Sequence, residues 1–367
     1  MSETTIILNM IVKNESKIIE RCLDAVNWVD GLVISDTGST DNTEEVIENW
    51  RKENGKIGTV VHNPWKNFGH NRTEALNEAK KWCADNGLDL TKTWFLLIDA
   101  DMIFPGKSLR DVIHEADVWD IQQQNPSMIY SNLRAVRASI DIICRCPTHE
   151  YYDILTPNAV RKTYNDHVIN DVGDGGAKSD KAERDIRLLK EALVTEPKNC
   201  RYWFYLANTY RDIRDFNNAI LAYNSRIEVG GWYEETYLAM VYKGDCHYVI
   251  GQIAEALEIW LKAYNVDHHR GEALIRIATH YRTTSLHNTA MIFIDRGLKI
   301  PLPKDRLLFL EKSVYEYRFL YELSICAYYT KDQERGKIAC NMLMEMNNLP
   351  QNIIETTQNN LNFYNNK

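Results

Sequence analysis

The chain has 367 residues, room for two or three domains at about 150 residues each. Its 44% hydrophobic and 26% charged residues are the balance of a globular protein, which excludes disorder or collagen-like repetition for the whole. A net charge of −8, from 43 basic and 51 acidic residues, argues against a nucleic-acid binder held mainly by phosphate contacts. The longest apolar run, residues 94–98, is far short of the roughly 20 residues that span a membrane. The opening MSETTIILNMIVKNES lacks the basic region, apolar core and cleavage site of a secretory signal. Eight scattered cysteines without a C-x-x-C pair read as free thiols rather than a zinc site. With the missing signal, they predict a soluble, cytoplasmic protein.

Taken in chain order, residues 6–12 form a β-branched run suited to a strand buried on both faces. Residues 15–26 read as a helix with Ile18, Ile19, Cys22, Leu23 and Val26 on one face, and residues 31–35 as a second strand. The string DTGSTDNT (residues 36–43) follows, and residues 43–52 resume a helical period. Residues 59–62 make a third strand, 74–85 an amphipathic helix and 94–98 a buried strand. This alternation predicts a mainly parallel sheet flanked by helices, with ligands beyond the carboxyl ends of its strands. DTGSTDNT and residues 99–101 both fall there.

From about Lys178 the strand signals fade and helical periods follow one another. Trp203, Leu206, Ala207, Tyr210, Ala219 and Tyr223 are echoed by Met240, Gly244, His247, Ala256 and Trp260. Leu274, Ile277, Ala278, Tyr281, Ala290 and Ile294 echo them again, and the alanines stand 37 and 34 residues apart. A helix-pair period of about 34 residues is the tetratricopeptide pattern. A weaker fourth copy uses Ala327, Ala339 and Leu343, and the Asn-rich tail after Gln351 is expected to fray. The Gly/Asp-rich residues 171–181 mark the boundary, dividing the chain into residues 1–175 and 176–367.

Asp99 and Asp101 follow a strongly buried strand, where two carboxylates can share a hard divalent cation; capping or surface pairing is the alternative. In DTGSTDNT, Gly38 permits a tight turn and the hydroxyl and carboxylate side chains can cap a helix or bind a ligand. Neither the Walker spacing nor G-x-G-x-x-G is present, which removes support for ATPase and dinucleotide-binding readings.

Residues 9–15 (NMIVKNE), then DTGSTDNT, then WKNFGHNRTEAL (65–76), then LLIDADM (96–102) occur in the order seen in family 2 glycosyltransferases. The whole chain resembles the branch with an α/β GT-A nucleotide-sugar domain, Rossmann-like with a mainly parallel sheet, followed by an all-α tetratricopeptide-like helical-repeat domain. The resemblance implies an inverting transfer from a nucleotide sugar, with UDP the usual nucleoside diphosphate. Glu15 and Asp36 would contact the nucleoside, Arg72 the diphosphate or nucleoside, and Asp99 the ribose, while Asp101 would hold Mn²⁺ or Mg²⁺. His167 would be a further metal ligand, which would favour manganese; Asp166 and Asp171 stand behind it. In CPTHE (residues 146–150) Glu150 would be the base, with His149 orienting it or binding phosphate or metal. Lys66 stands where relatives often carry an acidic residue. One of Lys178, Lys181 and Arg184 could reach the diphosphate, and Trp232 and Tyr233 could line an acceptor groove.

The expected partners are a nucleotide sugar and a protein, peptide or glycan acceptor, with no nucleic acid and no membrane span. The helical half would bind the acceptor or mediate a homodimer. Two other classes compete: a non-catalytic scaffold with a degenerate α/β half, and a sugar-phosphate nucleotidyltransferase, which would release pyrophosphate rather than UDP.

Overall fold

The structure is a computed structural model that describes residues 4–125, 128–175, 181–305 and 308–366. The chain divides into two compact units, Met1–Ala192 and Leu193–Lys367. Residues 176–180, which include Lys178 and the expected boundary, lie outside the described residues.

In the first unit β1 (Thr5–Val12), α1 (Ile19–Ala25), β2 (Gly31–Asp36), α2 (Thr43–Glu53), β3 (Ile57–His62), α3 (Phe68–Asp85) and β4 (Thr93–Leu97) alternate as the sequence predicts. Short β5 (Met102–Ile103) and α4 (Leu109–Val112) follow, then β6 (Val118–Asn125), β7 (Met128–Arg137), β8 (Ile142–Arg145), β9 (Tyr151–Ile154) and β10 (Arg161–Asp171). The main sheet runs β3-β2-β1-β4-β7-β6-β10-β5, and β8-β9 form a separate hairpin. The first four strands are parallel, whereas β7 is antiparallel to both β4 and β6.

Alternation along β1 sends Ile6, Leu8 and Met10 to one face, beside Ile19, Cys22 and Leu23 of α1. Ile7 faces the other side with Leu76, Ala79 and Cys83 of α3. Two helical starts differ from the sequence expectation. Residues 15–18 turn back, with the Ile18 and Ile19 N–H groups donating to Glu15 O at 3.0 and 2.9 Å, so α1 begins at Ile19. Helix α3 begins at Phe68 rather than at residue 74, because Asn67 caps it by accepting from His70 N at 2.8 Å. The earlier start puts Arg72 within the helix.

Helix α5 (Lys181–Thr195) runs across the division between the units. The second unit then builds hairpins from α6 (Cys200–Asp212) and α7 (Phe216–Val229), α8 (Tyr233–Val249) and α9 (Ile253–Val266), and α10 (Glu272–Thr283) and α11 (His287–Gly297). A π turn at Val314–Arg318 leads into α12 (Phe319–Cys326), followed by α13 (Gln333–Met344) and α14 (Gln351–Asn365). Ala219, Ala256, Ala290 and Ala339 are all buried where the paired helices meet, as the repeat requires. The tail departs from expectation. It is helical, with Thr357 and Tyr364 buried and the Tyr364 hydroxyl donating to Ser324 O at 2.9 Å. Among the described residues no helix is long and apolar enough to cross a membrane, and all eight cysteines are free.

The α7–α8 turn depends on one fully buried cation. Arg226 donates to Trp232 O at 3.0 Å and pairs with Glu235 at 3.2 Å, leaving the rings of Trp232 and Tyr233 exposed. Arg226→Met leaves the buried Glu235 carboxylate with only the longer, 3.8 Å approach of Arg201. The expected loss is about 3–5 kcal/mol, read from the urea midpoint; an unchanged midpoint would refute this role.

Candidate active site

Loops leaving the carboxyl ends of β1, β2, β3 and β4 share one edge of the sheet, at the point where β1 pairs with β2 on one side and β4 on the other. The first two loops clasp each other. Asn14, at φ 57°, accepts from Thr40 N at 2.7 Å, and its own N–H donates to Ser39 Oγ at 2.9 Å. Glu15 N–H donates to Thr43 Oγ1 at 2.8 Å. Asp36 turns Oδ1 inward, accepting from Gly38 N and Ser39 N at 2.7 Å each. It therefore builds the DTGST turn, whatever else its second oxygen meets.

Helix α3 is fixed end-on to the CPTHE segment. Phe68 N and Gly69 N donate to Pro147 O and Cys146 O at 3.1 Å, using two N–H groups that a helix start otherwise leaves open. Glycine is required at this contact, since a Cβ on residue 69 would lie 2.4 Å from Cys146 O. One turn later Arg72 spans two loops. Its Nη2 lies 2.7 Å from Asp99 Oδ1, and its Nε donates to Glu150 Oε1 at 2.8 Å. The three side chains are 13%, 25% and 20% exposed, so this is a nearly dry bridge.

The bridge continues inward. Asp99 Oδ2 is 3.8 Å from Arg134 Nη1, Arg134 Nη2 donates to Gln123 Oε1 at 2.6 Å, and Gln123 Nε2 donates to Asp171 Oδ2 at 3.0 Å. Burial opposes the charge on Arg72, yet Asp99 and Glu150 hold its guanidinium well above the ordinary value. Burial likewise pushes Asp99 up, but Arg72 and Arg134 pull harder and keep it below the usual carboxylate range.

Glu150 is aimed by a strained loop. Cys146 and His149 sit at φ 76° and 52°, left-handed conformations that cost a non-glycine residue about 1–3 kcal/mol each. Helix α5 holds the loop through the buried Asp185, which accepts from Thr148 Oγ1 at 3.0 Å and lies 4.0 Å from His149 Nε2. His149 thus faces Asp185, and Glu150 faces Arg72.

Asp101 and Glu15 meet beside Gly175. A Cβ there would lie 3.2 Å from Asp101 Oδ2 and 3.5 Å from Glu15 Oε1. The segment is tied down by Val172 N donating to Asp101 O at 3.1 Å and by Arg21 pairing with Asp174 at 2.7 Å. The structure does not bring His167 to this place. Its Nδ1 faces Ser108 Oγ at 3.2 Å and Tyr164 OH at 3.1 Å. Asp171 pairs with Met102, and His167 lies four residues back along β10, within the irregular stretch between Tyr164 and Ile169. Asp166 is exposed, and Asp171 is held by Gln123. Among the described residues no three His, Cys, Asp or Glu side chains are grouped to hold a metal. Lys66 and Lys181 are exposed, and Arg184 lies over the Phe68 ring at 5.0 Å.

Sequence reading missed Arg134, Gln123 and Asp185, because β6, β7 and α5 carry no motif. A signal existed for Arg134: a cation set inside the strand-forming run LRAV (residues 133–136). Asp99 has a depressed folded pKa, so it stabilises the fold above the unfolded value of about 3.9, and this is lost as pH falls through the lower folded value. Asp99→Asn should therefore flatten the acid limb of the stability curve below about pH 4. A limb as steep as that of the unaltered chain would contradict the bridge.

Residues 8–162 match the family described as Glycosyl transferase family 2. The SPbeta prophage-derived glycosyltransferase SunS of Bacillus subtilis (strain 168) is 25% identical over 218 residues, covering 55% of this chain and 48% of that protein. Glycosyltransferase SunS of Bacillus phage SPbeta gives the same 25% over 218 residues. The chain spans about half the length of these curated relatives. Among solved structures, a tetratricopeptide repeat protein from Parabacteroides merdae ATCC 43184 has a TM-score of 0.39 at 16% identity, covering 51% of this chain and 68% of that one. The crystal structure of MamA has a TM-score of 0.37 at 16% identity, covering 45% and 87%. The order of motifs, the sheet edge on which they meet and the family match agree: residues 8–162 form a family 2 glycosyltransferase domain.

Proposed function

We propose that the chain is a metal-assisted, inverting glycosyltransferase that moves a sugar from a nucleotide sugar, a UDP-sugar in the first instance, to a protein or glycan acceptor. The observation that carries this reading is the Arg72 bridge, which places a carboxylate from CPTHE beside the first carboxylate of the Asp99–Asp101 pair. Glu15, Asp36 and Asp99 line the sheet edge where the nucleoside would lie. The eight free thiols suit the cytoplasmic setting expected from the sequence.

The residues present fit a hard divalent ion. Asp101 and Glu15 turn carboxylate oxygens toward one gap that an added methyl would crowd. Mn²⁺ or Mg²⁺ sites of this type use one or two carboxylates and take further oxygens from substrate phosphates. Asp101, with Glu15 beside it, would hold the ion, which when bound would neutralise the charge of the diphosphate leaving group. His167 is not assigned to it.

In the reaction, the acceptor nucleophile forms a bond to the anomeric carbon as the bond from that carbon to the diphosphate oxygen breaks. The electron pair leaves with the nucleoside diphosphate, and Glu150 takes the proton of the nucleophile. Arg72 fixes Glu150 Oε1, so Oε2 is the oxygen available for that proton. Asp185 and Thr148 hold the loop that aims it.

The test incubates the full chain with Mn²⁺, a panel of nucleotide sugars and a panel of peptide and glycan acceptors, and follows the released product. Nucleoside diphosphate release is expected, slowed about 10²–10⁴-fold by Glu150→Gln with nucleotide affinity retained. Pyrophosphate release would instead mark a nucleotidyltransferase, and a rate indifferent to Glu150→Gln would remove it as the base.

A further inference from the structure

The sheet edge has a second wall, opposite in origin to the Arg72 bridge. β4 pairs with β7 only from Trp94 opposite Arg137 to Leu96 opposite Ala135, so residues 128–134 run on past the carboxyl end of β4, toward Asp99 and Asp101. A β-bulge falls at that point: Trp119 pairs with Ala135 and Asp120 with Leu133, which leaves Arg134 as an extra residue. Bulges beside sites re-aim a side chain, and Arg134 reaches both Asp99 and Gln123. Beyond the bulge Tyr130 pairs with Gln123 of β6, and Gln123 pairs with Ile169 of β10. Asp171 returns to Gln123 through its 3.0 Å hydrogen bond and pairs with Met102, the neighbour of Asp101. Tyr130, Gln123 and Asp171 thus form one row across three strands beside Asp101.

Two polar groups of this row are open to a ligand. Tyr130 is half-buried, and no described residue bonds its hydroxyl. Burial and the charges of Asp171, Asp99 and Asp101 push its phenol above the ordinary value, with Arg134 opposing them, so the hydroxyl keeps its proton and donates. Asp171 gives Oδ2 to Gln123, a neutral amide, and Oδ1 is left to accept. Asp99 has Arg72 and Arg134 as cations, whereas among the described residues no cation pairs with Asp171. A phenol that donates and a carboxylate that accepts, side by side, match two neighbouring hydroxyls on a sugar ring. The unbalanced carboxylate of Asp171 opposes a second carboxylate anywhere on that ring.

We propose that Tyr130 and Asp171 select the sugar of the donor: a neutral sugar with two adjacent free hydroxyls, against one that carries a carboxylate. Tyr130 donates to one hydroxyl, Asp171 Oδ1 accepts from the next, and Gln123 keeps Asp171 aimed. This inference rests on the nucleotide-sugar reading above and adds the class of sugar to it.

The test is calorimetric titration of the full chain, with Mn²⁺, by UDP, UDP-glucose and UDP-glucuronic acid, repeated on Tyr130→Phe and Asp171→Asn. UDP reports the nucleotide site, and the ratio of the two conjugates reports the sugar class. The unaltered chain should bind UDP-glucose at least about 100-fold more tightly than UDP-glucuronic acid. Asp171→Asn should narrow that ratio about tenfold or more by removing the like charge. Tyr130→Phe should weaken UDP-glucose about tenfold. Both variants should keep the UDP affinity of the unaltered chain, which also shows that they fold. Equal affinity for the two conjugates, or a ratio that Asp171→Asn leaves intact while UDP still binds, would overturn the sugar assignment alone. No affinity for UDP or either conjugate would instead remove the UDP-sugar reading, and this inference with it.

Discussion

The first unit depends on one guanidinium shared between two carboxylates. Arg72 joins α3, the loop after β4 and the CPTHE loop, three segments separated by tens of residues in sequence. Burying three charges is costly unless each is satisfied, and here each is: Asp99 has a second cation in Arg134, and Glu150 keeps partial access to water. An apolar substitute of the same volume could pack as well, but it could not fix the orientation of a carboxylate. That orientation is what a proton acceptor beside a sugar-transfer site needs.

The surroundings make the bridge rigid. Gly69 lets the start of α3 touch the backbone of CPTHE, and Asp185 holds that loop from behind in two left-handed turns. Arg134 and Gln123 tie Asp99 to β6, β7 and the end of β10. Strain in the loop and burial of the charges are thus offset by a continuous set of hydrogen bonds. The second unit uses the same physics for a different end. There Arg226 and Arg270 sit fully buried and organise turns and connections, while small residues every 34 to 37 positions let the helices pair.

Much of this was legible in the residue order. The alternation through residue 98 and the repeat of alanines are periodic signals, and period follows from backbone geometry. The position of Asp36, Asp99 and Asp101 at one edge was legible because parallel strands deliver their carboxyl ends there, whereas Glu15 came only from the family resemblance. What the chain hides is nonlocal. The link from Arg72 to Glu150 crosses 78 positions, and the local alternative, a pair with Glu74, is equally compatible with the string HNRTEAL. Asp185 sits in an ordinary amphipathic helix, and only the fold brings it to Thr148. His167 shows the reverse: the family resemblance suggested a ligand beside Asp101, yet the fold sets it beside Ser108 and Tyr164. Composition misled for the tail, because Asn-rich text conceals the spacing of Thr357 and Tyr364 that docks α14.

The central claim is that Asp101 and Glu15 receive an ion and a nucleoside diphosphate at the sheet edge. The most direct measurement is the melting temperature of the full chain with UDP, GDP or CMP, each with and without Mn²⁺. At a hundredfold excess over the dissociation constant a bound nucleotide stabilises by about 2.7 kcal/mol, a rise of several degrees for a unit of this size. The account predicts such a rise for one nucleotide, dependent on Mn²⁺ and lost in Asp101→Asn. A melting temperature indifferent to every nucleotide, or a rise that Asp101→Asn leaves intact, would contradict it.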